Sequence, residues 1–194
     1  MKIFKVFACL VSLIALISAF GASAGSPPLC DTGIPVTLQA DSGNYLARCT
    51  DCVPNAKYPD SAFVQVTPAE VKTSSRAHFY LERLSNGKYT LRSADSGKYL
   101  AECVNCSPNG ISPDMAFIYV SHATIKETKD AQFTLVALEN GKYAFQANSG
   151  NYLARCNGCV MGATYPDSAD FHTSAADMPQ SPWAQWEITI LAKP

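Results

Sequence analysis

Six cysteines fall in three C-x-x-C pairs: Cys49 and Cys52, Cys103 and Cys106, Cys156 and Cys159. Such pairs can hold zinc, exchange disulfides with other thiols, or close short structural disulfides. A zinc site would need two pairs to meet around one four-ligand ion. Redox-active pairs ordinarily sit at a helix N-terminus that lowers the thiol pKa, whereas these cysteines leave strand-like segments. Three structural disulfides are therefore the expectation, with metal and redox chemistry as the alternatives. Closing so short a loop stabilises by roughly 2 kcal/mol per bridge. Cys30 is left over. It is expected either to be free near the first strand or to link two chains into a dimer.

A second set of chemistry-bearing residues surrounds these pairs. Asn44, Arg48, Tyr58 and Asp60 recur as Asn151, Arg155, Tyr165 and Asp167. An aromatic ring can stack on the C–H face of a sugar while amide, carboxylate and guanidinium groups hydrogen-bond its hydroxyls. The corresponding middle residues are Lys98, Glu102, Ser112 and Asp114. That copy lacks the tyrosine and reverses the arginine's charge, so at most a weakened site is expected there. The same residues also fit a plainer role. Pro-Asp is an ordinary turn pair, and Arg48 and Arg155 could simply pair with Asp60 and Asp167. Asn105-Cys106-Ser107 is an N-glycosylation sequon, placing a candidate glycan on the middle loop.

No nucleophile motif or carboxylate pair of the glycosidase kind is present, and His78, His122 and His172 occupy unrelated positions. No enzymatic activity, metal or cofactor is expected. A formal net charge of −1 gives no basic footprint for nucleic acid.

These residues recur because the whole chain repeats. Ser42-Gly43-Asn44-Tyr45-Leu46-Ala47-Arg48-Cys49 returns letter for letter at 149–156, with a middle version from Ser96 to Cys103. Tyr45, Tyr99 and Tyr152 are 54 and then 53 residues apart. Each copy adds the second cysteine, a Pro-Asp pair (Pro59-Asp60, Pro113-Asp114, Pro166-Asp167) and a later Ala-x-aromatic (Ala77-x-Phe79, Ala131-x-Phe133, Ala184-x-Trp186). Four strands are read per copy, starting near Val36, Tyr45, Ala62 and His78 in the first. Asn86-Gly87 and Asn140-Gly141 mark hairpins between copies, because both residue types tolerate the positive φ of tight turns.

One four-strand unit cannot bury its apolar face alone. Three units around an axis can close six strands into a short barrel capped by three hairpins, which also removes most open sheet edges. The expected fold is all-β: a disulfide-stapled, pseudo-threefold β-trefoil of three repeats of about 53 residues. Met1 to Ala24 reads as a secretory signal, with Lys2 and Lys5 before an apolar run and Ala22-Ser23-Ala24 as the cleavage pattern. The remainder would be secreted and free of membrane spans, with 13 basic against 16 acidic residues. It divides into an N-terminal segment, 25–35, and one trefoil domain, 36–194, with repeats 36–88, 89–142 and 143–194.

Tyr89-Thr90-Leu91-Arg92-Ser93 followed by Ser96-Gly97-Lys98-Tyr99-Leu100-Ala101 resembles the repeat of fascin-like β-trefoils. Phe79-Tyr80-Leu81-Glu82-Arg83-Leu84 resembles a segment of fibroblast growth factors, another trefoil family. The resemblance implies the fold. It does not extend to function, since fascins bundle actin in the cytosol and those growth factors use a basic cluster that is missing here. Ricin-type lectin trefoils usually carry Gln-x-Trp, where this chain has Gln185-Trp186.

The expected function is a secreted, lectin-like module that binds a glycan or polysaccharide through its stapled loops. The alternatives are a secreted protein-binding module such as a protease inhibitor, or a structural matrix or wall protein.

Overall fold

The computed structural model describes residues 33–192, and the expected signal and Cys30 lie outside them. The first repeat supplies β1 (Ile34–Gln39), β2 (Tyr45–Thr50), β3 (Asp60–Val66) and β4 (Phe79–Arg83). The second supplies β5 (Tyr89–Ser93), β6 (Tyr99–Val104), β7 (Asp114–Val120) and β8 (Thr134–Ala137). The third supplies β9 (Tyr143–Gln146), β10 (Tyr152–Asn157), β11 (Asp167–Thr173) and β12 (Glu187–Ile190). Among the described residues there is no α-helix, only short 3-10 turns, and no helix long and apolar enough to cross a membrane.

Six strands close a ring. β1 pairs with β12 and β4, β4 with β5, and β8 with β9, all antiparallel. The bridges Tyr89↔Phe133 and Tyr143↔Trp186 complete the circuit between neighbouring repeats. The other six strands form the hairpins β2–β3, β6–β7 and β10–β11. These touch pairwise around the axis at Ser61↔Phe117, Asp170↔Met115 and Ser168↔Phe63. A six-stranded barrel under a triangular cap of hairpins is the trefoil arrangement.

The repeated sequence marks explain the elements. Gly87 and Gly141, at φ of 84° and 80°, make the tight turns of the β4–β5 and β8–β9 hairpins. The Ala-x-aromatic motif drops Phe79, Phe133 and Trp186 into the barrel, each 0% exposed. There they meet Leu38, Leu81, Leu91, Phe145, Leu153 and Phe171. Burying one such side chain is worth about 1.5–3 kcal/mol. The Trp186 ring nitrogen keeps a partner by donating to the Leu153 carbonyl at 2.9 Å.

Some boundaries differ from the sequence reading. β1 begins at Ile34, inside the segment assigned to 25–35, because Ile34 and Pro35 pair with Leu81 and Tyr80. The third strand of each repeat begins at the Asp of the Pro-Asp pair, since Asp60, Asp114 and Asp167 lie opposite Thr50, Val104 and Asn157. β8 and β12 start later than expected. A 3-10 turn precedes each, and Gln132 and Gln185 donate back into those turns rather than to the sheet.

Candidate functional site

Three disulfides form: Cys49–Cys52, Cys103–Cys106 and Cys156–Cys159, with Cα–Cα distances of 5.6–5.7 Å. The local chain is suited to them. The residue before each second cysteine has positive φ: Asp51 at 56°, Asn105 at 55° and Gly158 at 72°. Asp, Asn and Gly are the types that tolerate the left-handed region. This kink turns each backbone N–H toward the proline of its own Pro-Asp pair. Asp51, Asn105 and Gly158 donate to the carbonyls of Pro59, Pro113 and Pro166, each at 2.7 Å. Asn105, the sequon residue, is exposed, while Cys106 and Ser107 behind it are buried.

The stapled loops also grip one another in a ring. Lys57 donates its N–H to the Cys106 carbonyl, Ile111 to that of Cys159, and Thr164 to that of Cys52, at 2.8–3.0 Å. Each loop is thus held by its own disulfide and by the next repeat. Beneath them Cys49, Cys52, Phe63, Cys103, Cys106, Met115, Phe117 and Val160 form a separate apolar cluster in the cap. Tyr58 lies against this cluster and stacks on Tyr119 of the second repeat, rings 4.1 Å apart and 7° from parallel. The Lys57 ammonium lies 5.4 Å from the centre of the same ring. Tyr165 leans on Phe63 of the first repeat at 6.3 Å.

The charged residues meet at the seams between repeats. Arg48 spans two carboxylates, donating to Asp60 Oδ1 at 2.7 Å and to both oxygens of Asp95 at 2.8–3.0 Å. Arg155 does the same with Asp167 Oδ1 at 2.9 Å and Asp41 at 2.7 and 2.9 Å. These contacts hold both guanidiniums firmly charged. Hydrogen bonding from Arg155 lowers the Asp41 carboxyl below its usual range. For Asp95 burial pulls upward, but hydrogen bonds from Arg48 and Ser93 outweigh it and the net direction is down. In the middle copy Glu102 accepts from Ser149 at 2.5 Å, and burial raises its carboxyl. Burial likewise raises Asp114.

The structure therefore joins Arg48 to Asp60 and Arg155 to Asp167, but it regroups the asparagines. Lys98, the middle counterpart of Asn44, sits 3.9 Å from Asp60 of the preceding repeat. The pseudo-threefold relation accordingly sets Asn44 beside Arg155 and Asp167 rather than beside Arg48. Asn44 and Asn151 close their turns by accepting from Ala40 and Ala147 with their carbonyls. Asp41 and Asp95 are the seam residues that the sequence reading passed over. Their signal was available: the turn after an Arg-bearing repeat carries Asp, and the turn after Glu102 carries Asn148.

No protein-family model matches the chain, and no curated protein sequence matches it. Solved structures do. A designed threefold-symmetric protein, ThreeFoil, superposes with TM-score 0.55 and 19% identity over 81% of this chain and 99% of its own. A ricin B-like lectin from Macrolepiota procera, solved with lactose, gives 0.56 and 12% over 84% and 99%. A mosquitocidal holotoxin gives 0.57 and 12% over 84% of this chain, which spans only 18% of the toxin.

The fold is a β-trefoil. At these identities the likeness reaches no further than the fold, and trefoils host many unrelated activities.

Among the described residues, one grouping has metal-ligating types within mutual reach: Cys156, Cys159 and Asp170, their ligand atoms within 4.8 Å of one another. Two of those atoms are joined in the disulfide.

Proposed function

We propose that the chain is a secreted, non-enzymatic carbohydrate-binding module with two related sites, at the seams around Asp60 and Asp167. One observation carries this reading: each carboxylate is fixed through one oxygen and leaves the other available. Asp60 Oδ1 accepts from Arg48 and Thr50, and Asp167 Oδ1 accepts from Arg155 and Asn157. Among the described residues neither Oδ2 receives a hydrogen bond; only Lys98 comes near Asp60, at 3.9 Å. A carboxylate already held in place loses little freedom when a sugar hydroxyl donates to it. On the turns that meet these seams, Asn44 toward Asp167 and Lys98 toward Asp60 add polar groups, whereas Asn151 falls at the middle copy's seam, where Ser149 donates to Glu102. Tyr58 and Tyr165 supply the apolar surface. The lactose-bound trefoil lectin supports the reading at the level of fold. Two weak sites on one rigid body would gain avidity on a multivalent glycan.

The test is a glycan-array screen of the oxidised protein, with the Asp60→Asn/Asp167→Asn and Tyr58→Ala/Tyr165→Ala double variants alongside. Binding that is lost in the aspartate pair, with the thermal melt still cooperative, is the expected result. Folded wild-type protein that binds no glycan overturns it.

A protein-binding module, such as a protease inhibitor, is the second reading. It draws on Ile111 and Met161, 74% and 69% exposed, on adjacent loops joined by the Gly110↔Val160 bridge. Inhibition in a panel of serine and cysteine proteases, lost in Ile111→Asp, would favour it.

A further inference from the structure

The three stapled loops are alike in backbone but not in what lies under the disulfide. Phe63 and Phe117 occupy equivalent places in β3 and β7 and pack in the cap cluster with the first two disulfides. The third repeat has Asp170 there. Asp170 is 0% exposed, and neither carboxylate oxygen has a hydrogen-bond partner. The Ser168 hydroxyl donates to the Cys156 carbonyl at 3.3 Å, and its pull on the Asp170 carboxyl is outweighed by burial. A buried carboxyl without partners is expensive to keep, and the other two repeats show that phenylalanine serves the packing. What Asp170 has within reach is sulfur: its carboxylate oxygen lies within 4.8 Å of both Cys156 and Cys159 Sγ.

The third disulfide is also the more open one. Cys49 and Cys103 are 2% and 5% exposed, whereas Cys156 is only half-buried. The ring of loops points the same way. Tyr58 covers Phe117 of the next repeat at 6.4 Å, and Tyr165 covers Phe63. The residue that stands toward Asp170 by the same relation is Ser112, which leaves a thinner wall there.

We propose that Cys156–Cys159 is a thiol-exchange site and that Asp170 is its internal proton donor, the co-reactant being a small external thiol. The thiolate of that molecule attacks Sγ of the half-buried Cys156. The Cys156–Cys159 bond breaks as the mixed disulfide forms, and the electron pair leaves on Cys159 Sγ. A thiolate stranded in the cap would be costly, so the Asp170 carboxyl gives it a proton and becomes a carboxylate. A second external thiolate then attacks the external sulfur of the mixed disulfide. It releases Cys156 as a thiolate, which takes a proton from water, and Asp170 regains its proton from solvent. Two external thiols are oxidised to one external disulfide and the protein's disulfide is reduced to two thiols. Burial pushes the Asp170 carboxyl up to about 7, which keeps a protonated fraction near neutral pH. The other two disulfides have access to no such proton, and their sulfurs are less accessible to the attacking thiolate.

The experiment is a time course of the oxidised protein in reduced glutathione, quenched by alkylation and read pair by pair by peptide mass spectrometry. Cys156 and Cys159 should be alkylated first, about tenfold or more ahead of the other pairs, given how strongly exchange follows access and leaving-group protonation. Asp170→Asn should slow that pair by a similar factor and leave the other two unchanged. Asp170→Phe, which matches the packing of the other repeats, should do the same, and guards against a folding defect in the first variant. Equal rates for all three pairs in wild-type protein overturn the proposal, whatever the variants do. So does an unchanged rate at Cys156–Cys159 in a folded Asp170 variant. A zinc titration of the reduced protein makes the last arm. One tightly held zinc per chain, lost in Asp170→Asn while the reduction rate is not, would assign the carboxylate to a metal instead.

Discussion

Arg155 of the third repeat is clamped to Asp41 of the first, Nε to Oδ1 at 2.7 Å and the second nitrogen to Oδ2 at 2.9 Å, across 114 positions of chain. Arg48 makes the matching bidentate contact with Asp95 across 47. The contacts join strand β10 or β2 of one repeat to the Asp-Ser-Gly turn of the next. Because each guanidinium also holds its own repeat's Asp60 or Asp167, the seam is a three-member network rather than an isolated pair. Such bidentate pairs are stronger than ordinary surface ion pairs. The network that pre-forms the proposed glycan site is therefore also part of what fastens the repeats together.

Acid should loosen these seams first. Asp41 and Asp95 have carboxyls lowered in the folded state. A lowered carboxyl contributes stability above its unfolded value, about 4, and that contribution disappears as pH falls through the folded value. Asp41→Asn and Asp95→Asn should each cost about 1–2 kcal/mol at pH 7, as expected for losing a charged hydrogen-bonded partner. The difference from wild type should shrink as pH falls through the lowered folded values, where the native carboxyls become protonated. Urea titrations at pH 7 and at a series of falling acidic pH values check this; a difference that stays constant through loss of the native carboxylates would show that the pairing is not what the substitution removes.

Glu102 should behave oppositely. It is 3% exposed, with burial and the nearby Asp114 raising its carboxyl and Ser149 only partly offsetting them. A raised carboxyl detracts from stability once pH exceeds the unfolded value. Glu102→Gln keeps the shape and can still accept from Ser149. It should raise the melting temperature by a few degrees at pH 7, in line with about 1 kcal/mol for a domain of this size, and change little near pH 4. Calorimetry at the two pH values distinguishes this from a general packing effect, which would appear at both.

The repeat makes the architecture legible in the sequence. Letter-for-letter copies such as 42–49 and 149–156 imply one local structure used three times, and closure of a barrel is then the economical way to bury its apolar face. The cysteine pairs and Asn-Gly hairpins were legible for the same reason, because each acts within a few residues. What depended on neighbouring repeats was not. Arg48 pairing with Asp60 lies within one copy and was anticipated. Its stronger grip on Asp95, the placement of Asn44 beside another repeat's arginine, and the stacking of Tyr58 on Tyr119 all arise where copies meet. The repeat sets Asp170 in register with Phe63 and Phe117, but that this position lies under the Cys156–Cys159 disulfide shows only in three dimensions.

The ring of loops makes a prediction across repeats. Lys57 donates to the carbonyl of Cys106 at 2.9 Å, so the middle staple holds a loop of the first repeat. Cys103→Ser/Cys106→Ser should cost roughly 2 kcal/mol by loop closure. It should also speed amide exchange at Lys57 well beyond that of Ile111 and Thr164, whose acceptors sit on the other staples. Residue-resolved hydrogen exchange reads this directly. Equal protection of all three amides in the variant would mean that the loops are held by their own repeats alone.

Asp170 gives a stability prediction separate from its chemistry. Its carboxyl is raised to about 7 by burial, while in the unfolded chain it titrates near 4, as a free Asp does. Between those values the unfolded state has released a proton that the native state keeps, so wild-type stability falls as pH rises through this window. Asp170→Asn removes that slope, and Asp170→Phe removes it while restoring the side chain used in the other repeats. Both variants should be more stable than wild type at pH 8, by on the order of a few kcal/mol for a shift this large. The gain for Asp170→Asn should vanish near pH 4, where both forms are neutral, and what remains for Asp170→Phe there measures packing alone. Chemical denaturation of the oxidised proteins at both pH values settles the sign. If Asp170→Asn is less stable than wild type at pH 8, the carboxylate has a partner in solution that supports its charge, and its burial is not the cost inferred from the fold.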